Sequence, residues 1–174
     1  MGRRSNFEHK PRNAYFTPAE AVTPLLAHLI PGSTFIEPCA GDGRLIRHLE
    51  AAGHKCTFAC DIEPLAEGIE RRDVLYFDFR PPPCEQIITN PPWERSVLHA
   101  MIEKFSKYAP CWLLYDAAWA YTKQAKPYLK FCYKIIPVGR VKWIEETKMS
   151  GKEDVAWYYF MEDPNPGFSE FINP

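Results

Sequence analysis

The sequence predicts an α/β domain: a seven-stranded, mostly parallel sheet with an antiparallel terminal hairpin and helices on both faces. Three observations carry this. Short apolar runs alternate with amphipathic helical patterns up to about residue 129, the pattern of a parallel sheet covered by helices. The chain then turns β-rich over Phe131–Ile144 and Val155–Met161, with Ser150-Gly151 in the connection, which reads as a terminal antiparallel pair. Finally, 174 residues at 46% hydrophobic and 14% aromatic content are enough for one substantial core and argue against disorder.

Taken in order, residues 1–14 are basic and polar, with no apolar core of a signal peptide. A single domain is expected over 15–163, and a Pro- and Gly-rich tail over 164–174, disordered or held on the surface. Thr17-Pro18 reads as a helix start, with Val22, Leu25, Leu26 and Leu29 at helical spacing to about Ile30, although Pro24 should interrupt the helix. Thr34–Glu37 is a strand, Pro38–Gly43 a tight loop, and Arg44–Ala52 a helix closed by Gly53. Lys55–Asp61 is the second strand, followed by a helical turn over Pro64–Glu70. Asp73–Tyr76 is the third strand and Glu85–Thr89 the fourth. Ser96–Tyr108 carries a helical stripe of Val97, Met101, Ile102 and Phe105. Cys111–Tyr115 is the fifth strand, and a helix is expected over Ala118–Leu129.

Composition narrows the function classes. No apolar run approaches the ~20 residues of a membrane span, so no membrane is expected as a partner. The six cysteines form no C-x-x-C pair and have no histidine at zinc spacing, so no metal is expected and reduced, buried thiols in a cytoplasmic setting are. Net charge is −1, yet Tyr121–Lys152 holds eight Lys or Arg (Lys123, Lys126, Lys130, Lys134, Arg140, Lys142, Lys148, Lys152) against Glu145 and Glu146. Such a patch suits nucleic acid or a solvated helix face equally.

The most unusual stretch is Asn90-Pro91-Pro92-Trp93, which closes the fourth strand. Two prolines remove two backbone donors and stop the strand, and the residue before each is held extended. The Asn90 amide and the Pro91 carbonyl are thereby presented rigidly beside an indole, a polar clamp next to a stacking surface. Upstream, Glu37-Pro38-Cys39-Ala40-Gly41-Asp42-Gly43 places small residues where a backbone can approach a ligand, ahead of a helix with free N–H groups. A G-x-G of this kind also serves as a plain strand-to-helix turn. Asp61 ends the second strand, where a carboxylate can accept both ribose hydroxyls. Asp73 is placed to accept from an adenine amino group, or else serves as a surface cap or a partner of Arg71 and Arg72; Asp78 competes for the cofactor role.

In this order the motifs resemble the class I S-adenosylmethionine-dependent methyltransferases. More narrowly, they resemble compact phage-type members of the gamma-class DNA adenine-N6 methyltransferases, across residues 14–161. The matching pieces are Tyr15-Phe16-Thr17-Pro18, Glu37-Pro38-x-x-Gly-x-Gly, Asp61, Asp73, Asn90-Pro91-Pro92-Trp93 and a closing Gly151-to-Trp157 segment. Glu37 stands where many relatives carry Asp. The resemblance implies S-adenosylmethionine as cofactor, held by Tyr15, Phe16, Thr17, Glu37, Pro38, Cys39, Gly41, Gly43, Asp61, Ile62, Asp73, Val74 and Asn90. Thr17 is implied at its methionine end, Asp61 on its ribose, and Asp73 at its adenine. Asn90, Pro91, Pro92 and Trp93 are implied at the target amine.

Double-stranded DNA is the implied partner, with Trp93, Arg95, Trp119, Tyr121, Lys123, Arg140, Lys142, Lys148 and Lys152 as candidate contacts. A phage or prophage origin and a bacterial host are implied as well. The chain lacks the separate target-recognition domain of larger relatives, so weak or short-site specificity, or a specificity partner or homodimer, is expected. RNA adenine, a cytosine N4 amine or a protein glutamine could occupy the same clamp. A non-catalytic binding module that keeps the cofactor fold is the reading from a different class.

Overall fold

The computed structural model describes residues 15–76, 82–144, 151–162 and the backbone of 170–171. Its core is one sheet of order β3-β2-β1-β4-β5-β7-β6-β8. The strands are β1 (Thr34–Glu37), β2 (Lys55–Asp61), β3 (Glu70–Arg71), β4 (Gln86–Thr89), β5 (Cys111–Asp116), β6 (Cys132–Arg140), β7 (Asp154–Phe160) and β8 (Glu170–Phe171). Strands β3, β2, β1, β4 and β5 are parallel, and β7 runs antiparallel to both β5 and β6. The sheet is therefore the predicted mostly parallel one with an antiparallel terminal pair. It gains one strand over the predicted seven, because Glu170–Phe171 of the tail pairs with β6 at Lys134 and Ile135.

Alternation of side chains along the strands builds a core on each face. On one face Ile36, Ile87, Leu113, Tyr115 and Tyr158 pack against α3 (Arg95–Phe105) through Leu98, Met101, Ile102 and Phe105. On the other, Phe35, Ile88, Trp112, Leu114 and Trp157 receive α1 (Ala19–Leu26) and α2 (Arg44–Ala51) through Val22, Leu25, Leu45 and Leu49. β4 is buried at all of its residues, as a central parallel strand should be. Each large apolar side chain so buried contributes about 1.5–3 kcal/mol.

Several elements differ from expectation, each for a local reason. α1 ends at Leu26, not Ile30, because tighter turns take over, with His28 N–H on Leu25 O at 2.9 Å and Leu29 N–H on Leu26 O at 3.3 Å. Pro18 is its N-cap, without a side-chain cap from Thr17, and Pro24 is carried inside the helix. The segment after Pro64 is not helical, and its last residue, Glu70, opens the edge strand β3. Asp73–Tyr76 is a turn: Asp73 caps it by accepting from Leu75 N–H at 2.9 Å, a local bond that competes with strand pairing. The helix expected over Ala118–Leu129 is two short 310 turns, Ala117–Tyr121 and Leu129–Phe131. Asp116 fixes the first by accepting from Ala118 N–H at 2.9 Å. β6 stops at Arg140, short of Ile144.

Candidate active site

Strand order reverses beside β1, whose partners are β2 on one side and β4 on the other. In open α/β sheets a crevice forms beyond the carboxyl ends of the strands at such a point. A cavity of about 160 Å³ lies there, lined by residues that include Tyr15, Phe16, Thr17, Glu37, Cys39, Gly41, Asp61, Ile62, Asn90, Pro91 and Pro92. A neighbouring cavity of about 370 Å³ shares Cys39, Asp61, Ile62 and Pro92 with it and continues to Pro38, Asp73, Val74, Leu75, Val97 and Met101. Folding thus brings all the sequence-nominated cofactor residues except Gly43 to one continuous groove. Gly43 sits behind it as the left-handed N-cap of α2 (φ 74°). Asp78 and Lys148 lie outside the described residues.

The loop after β1 turns sharply because Gly41 takes a positive φ of 52°, and a Cβ there would stand 3.3 Å from the Phe16 ring. Asp61 holds the loop: its Oδ2 accepts from Gly41 N–H and its Oδ1 from Glu63 N–H, both at 2.8 Å. Asp42 is satisfied by the Arg44 amide at 2.9 Å and the Arg44 guanidinium at 3.3 Å. Arg44 also stands 5.4 Å from the centre of the Phe16 ring, which ties the N-terminal segment to the loop.

Glu37 is the outlier. It is 1% exposed. Its Oε1 accepts from Thr89 Oγ1 at 3.2 Å, while Oε2 is buried without a partner. Burial pushes its carboxyl well above the usual range; the Thr89 bond opposes this, and the nearby Asp61 charge adds to it. Burial likewise pushes the thiol of the half-buried Cys39 beside it well above its usual value.

The clamp is pre-set by neighbours far away in sequence. Asn90 Nδ2 donates to Tyr15 O at 3.0 Å, and Asn90 Oδ1 accepts from Trp93 Nε1 at 3.3 Å. Tyr115 Oη donates to Trp93 O at 3.0 Å and its ring packs 5.5 Å from the Trp93 ring. Trp143 meets Trp93 edge to face at 5.8 Å and Tyr15 at 6.1 Å. Sequence reading missed Trp143 and Tyr115. Trp143 falls within the strand expected over Phe131–Ile144, although β6 ends at Arg140, and Tyr115 looked like one more alternating strand residue.

Among the candidate nucleic-acid contacts, Trp119 needs correction. It is fully buried and its indole N–H donates to His99 Nε2 at 3.2 Å, so it is a core residue that cannot touch a polyanion. Tyr121, 84% exposed, remains on the surface. Arg95 donates to Gln124 Oε1 at 2.5 Å and Arg140 faces Asp154 at 3.8 Å. Lys123 and Lys152 are exposed and Lys142 is partly buried.

Solved structures share this architecture. A candidate RNA methyltransferase from Pyrococcus horikoshii superposes with a TM-score of 0.56 at 17% identity, covering 85% of this chain and 87% of that one. A type I restriction-modification methyltransferase subunit from Streptococcus thermophilus gives 0.57 at 11%, covering 87% and 46%. A dimethyladenosine transferase from Plasmodium falciparum gives 0.54 at 15%, covering 84% and 62%. No protein-family model and no curated protein sequence matches the chain. The fold is the Rossmann-like fold of the S-adenosylmethionine-dependent methyltransferases.

Proposed function

We propose that the protein is an S-adenosylmethionine-dependent N-methyltransferase acting on the exocyclic N6 amine of adenine in DNA. One observation carries this reading. The Asn90 carboxamide, fixed at the carboxyl end of β4, adjoins a groove that combines a glycine-turned loop, an acid ending β2 and a buried carboxylate oxygen with no partner. That groove suits S-adenosylmethionine. The buried Glu37 carboxyl can receive a cation, the bare backbone at Gly41 allows close approach, and the apolar stretch of Val74, Leu75, Pro92 and Val97 suits a flat ring. When bound, the cofactor supplies an electrophilic methyl on a sulfonium.

The chain's own residues would do the rest by orientation and charge placement. Asn90 Oδ1 and Pro91 O accept the two N–H groups of the target amine, so the nitrogen lone pair is localised and aimed at the groove. The amine replaces the Trp93 N–H that now occupies Asn90 Oδ1. The surplus proton leaves after attack, so no strong base is needed. A base inside a duplex cannot reach this clamp, so the target would be extruded and held against Trp93, with Trp143 next to it.

The neighbours whose names refer to RNA and to dimethyladenosine support a second reading, transfer to adenine in RNA. Incubation with methyl-labelled S-adenosylmethionine and DNA, RNA or protein, followed by nucleoside mass spectrometry, separates the readings. N6-methyladenine from DNA is expected. Label only in RNA would move the substrate, and N4-methylcytosine would reassign the base. Asn90→Ala should lower transfer by about 10²–10³-fold while cofactor binding persists in equilibrium dialysis.

A further inference from the structure

Four acids line the smaller cavity: Glu37 from β1, Asp42 from the glycine loop, Asp61 from β2 and Glu63 just beyond it. Two of them are satisfied by the protein's own groups. Asp61 takes backbone amides on both oxygens, and Asp42 takes the Arg44 amide and guanidinium. Glu37 alone keeps a fully buried oxygen without a partner. The groups facing it are the Thr89 hydroxyl and the Asn90 amide from β4, the Cys39, Cys56 and Cys60 thiols, and the charges of Asp61 and Asp42. None of these is a cation. A carboxyl buried beside a cavity that three other acids also line, with one oxygen unpartnered, lacks a positive charge to balance it.

We propose that Glu37 releases a proton when a cationic ligand enters, so that S-adenosylmethionine binding is coupled to proton release and the charged cofactor is favoured over its neutral-sulfur product. This rests on the cofactor reading above. The Glu37 O–H bond breaks, its electron pair stays on the carboxylate, and the proton passes to buffer through the cavity. S-adenosylmethionine brings an ammonium, a carboxylate and a sulfonium; S-adenosylhomocysteine brings only the first two. Loss of the sulfonium on methyl transfer therefore removes part of what holds Glu37 ionised, and the product binds with less proton release.

The sign is fixed by linkage. The bound state prefers the anion, so affinity rises with pH while the free site is protonated and levels off once the free Glu37 has ionised. The direction of the carboxyl's displacement in the empty protein, upward through burial, moves that window toward neutrality.

Isothermal titration in two buffers of different ionisation enthalpy tests the coupling at about pH 6 to 6.5, more than a unit below the value of about 7.7–8.0 for an α-amino group, so the ligand's own amine stays protonated. The wild type should release a measurable fraction of a proton with S-adenosylmethionine and a smaller fraction with S-adenosylhomocysteine. Glu37→Gln should release none and should lose several-fold of the preference between the two ligands. Thr89→Val, which deletes a hydrogen bond that favours the anion, should shift the rise in affinity to higher pH. Wild-type binding with identical enthalpy in both buffers overturns the proposal, as does undiminished release in Glu37→Gln or a Thr89→Val profile superposable on the wild type. Absence of any binding heat with either ligand overturns the cofactor reading itself.

Discussion

At the residue scale, Trp93 does two jobs whose effects can be separated. Its ring offers a stacking face, and its Nε1–H occupies the Asn90 oxygen that a target amine would require on the proposed function. Trp93→Ala removes both and should raise KM for the nucleic acid by about 5–150-fold, since base stacking is worth about 1–3 kcal/mol. Trp93→Phe keeps a ring and removes the competing donor, so its KM should stay near or below the wild-type value; a Phe variant as poor as Ala would mean that the indole N–H assists the target. Glu37 gives a stability test. Its carboxyl is raised in the folded protein, so its favourable contribution is complete in acid, below the unfolded value of about 4.3, and is lost as pH rises toward the folded value. Glu37→Gln should therefore melt above the wild type without ligand at about pH 8, with the difference closing toward about pH 5 by calorimetry. Equal melting curves across that range would show that the site holds the anion without penalty. The sequence named Asn90, Glu37 and Asp61 because proline pairs, glycine loops and strand-ending acids have local signatures. Nothing local marked Tyr115, Trp143 or the Tyr15 carbonyl, since their roles exist only once β5, the end of β6 and the N-terminal segment converge on β4.

At the element scale, strands with clear alternation or a continuous apolar run were legible almost to the residue: β1 and β2 have the predicted ends. Failures cluster where a short polar side chain captures its own backbone. Asp73 and Asp116 each accept an amide two residues on, and each turns a predicted regular element into a turn or a 310 piece. α1 was legible as a helix, but what seats it was not. Trp157 on β7, fully buried, donates its indole N–H to Ala21 O at 2.7 Å across 136 residues of sequence. Trp157→Phe removes the second bond to that carbonyl, which also serves the helix, and should cost about 0.5–1.5 kcal/mol, more if the smaller ring leaves a void. Urea denaturation measures the loss. Because α1 follows directly on Tyr15–Thr17, S-adenosylmethionine affinity should fall as well in the folded variant, whereas a merely local cavity would leave it unchanged.

At the scale of the whole molecule, topology sorts surface charge that the sequence could only count. β6 runs alongside β5 through β7, so its carboxyl end lies on the same edge of the sheet as Asn90; Arg140 pairs there with Asp154, one residue before the Val155–Asp116 pair. Arg140, Lys142, Lys152, Tyr121 and Arg95 therefore belong to the clamp edge. Lys130 and Lys134 precede or open β6 and fall toward the opposite edge, where Cys132 and Cys111 both face Phe160. A single run of basic residues is thus two groups, and only one of them can contact a polymer whose base sits at Asn90. With net charge −1 and Arg140 facing Asp154, the described residues of the clamp edge offer few phosphate contacts, so on the proposed function binding should be weak and should lose few counterions. Lys152→Glu should then weaken DNA binding about tenfold at low salt and reduce the slope of log affinity against log salt by about one, one phosphate contact being worth about 0.9 of slope. Lys130→Glu, the same charge change on the far edge, should leave the slope unaltered and shift affinity only through the weak field of the whole protein. Fluorescence anisotropy over a salt series measures both. Equal effects from the two variants would show that the duplex is held by overall charge, and that the clamp edge is not where the polymer lies.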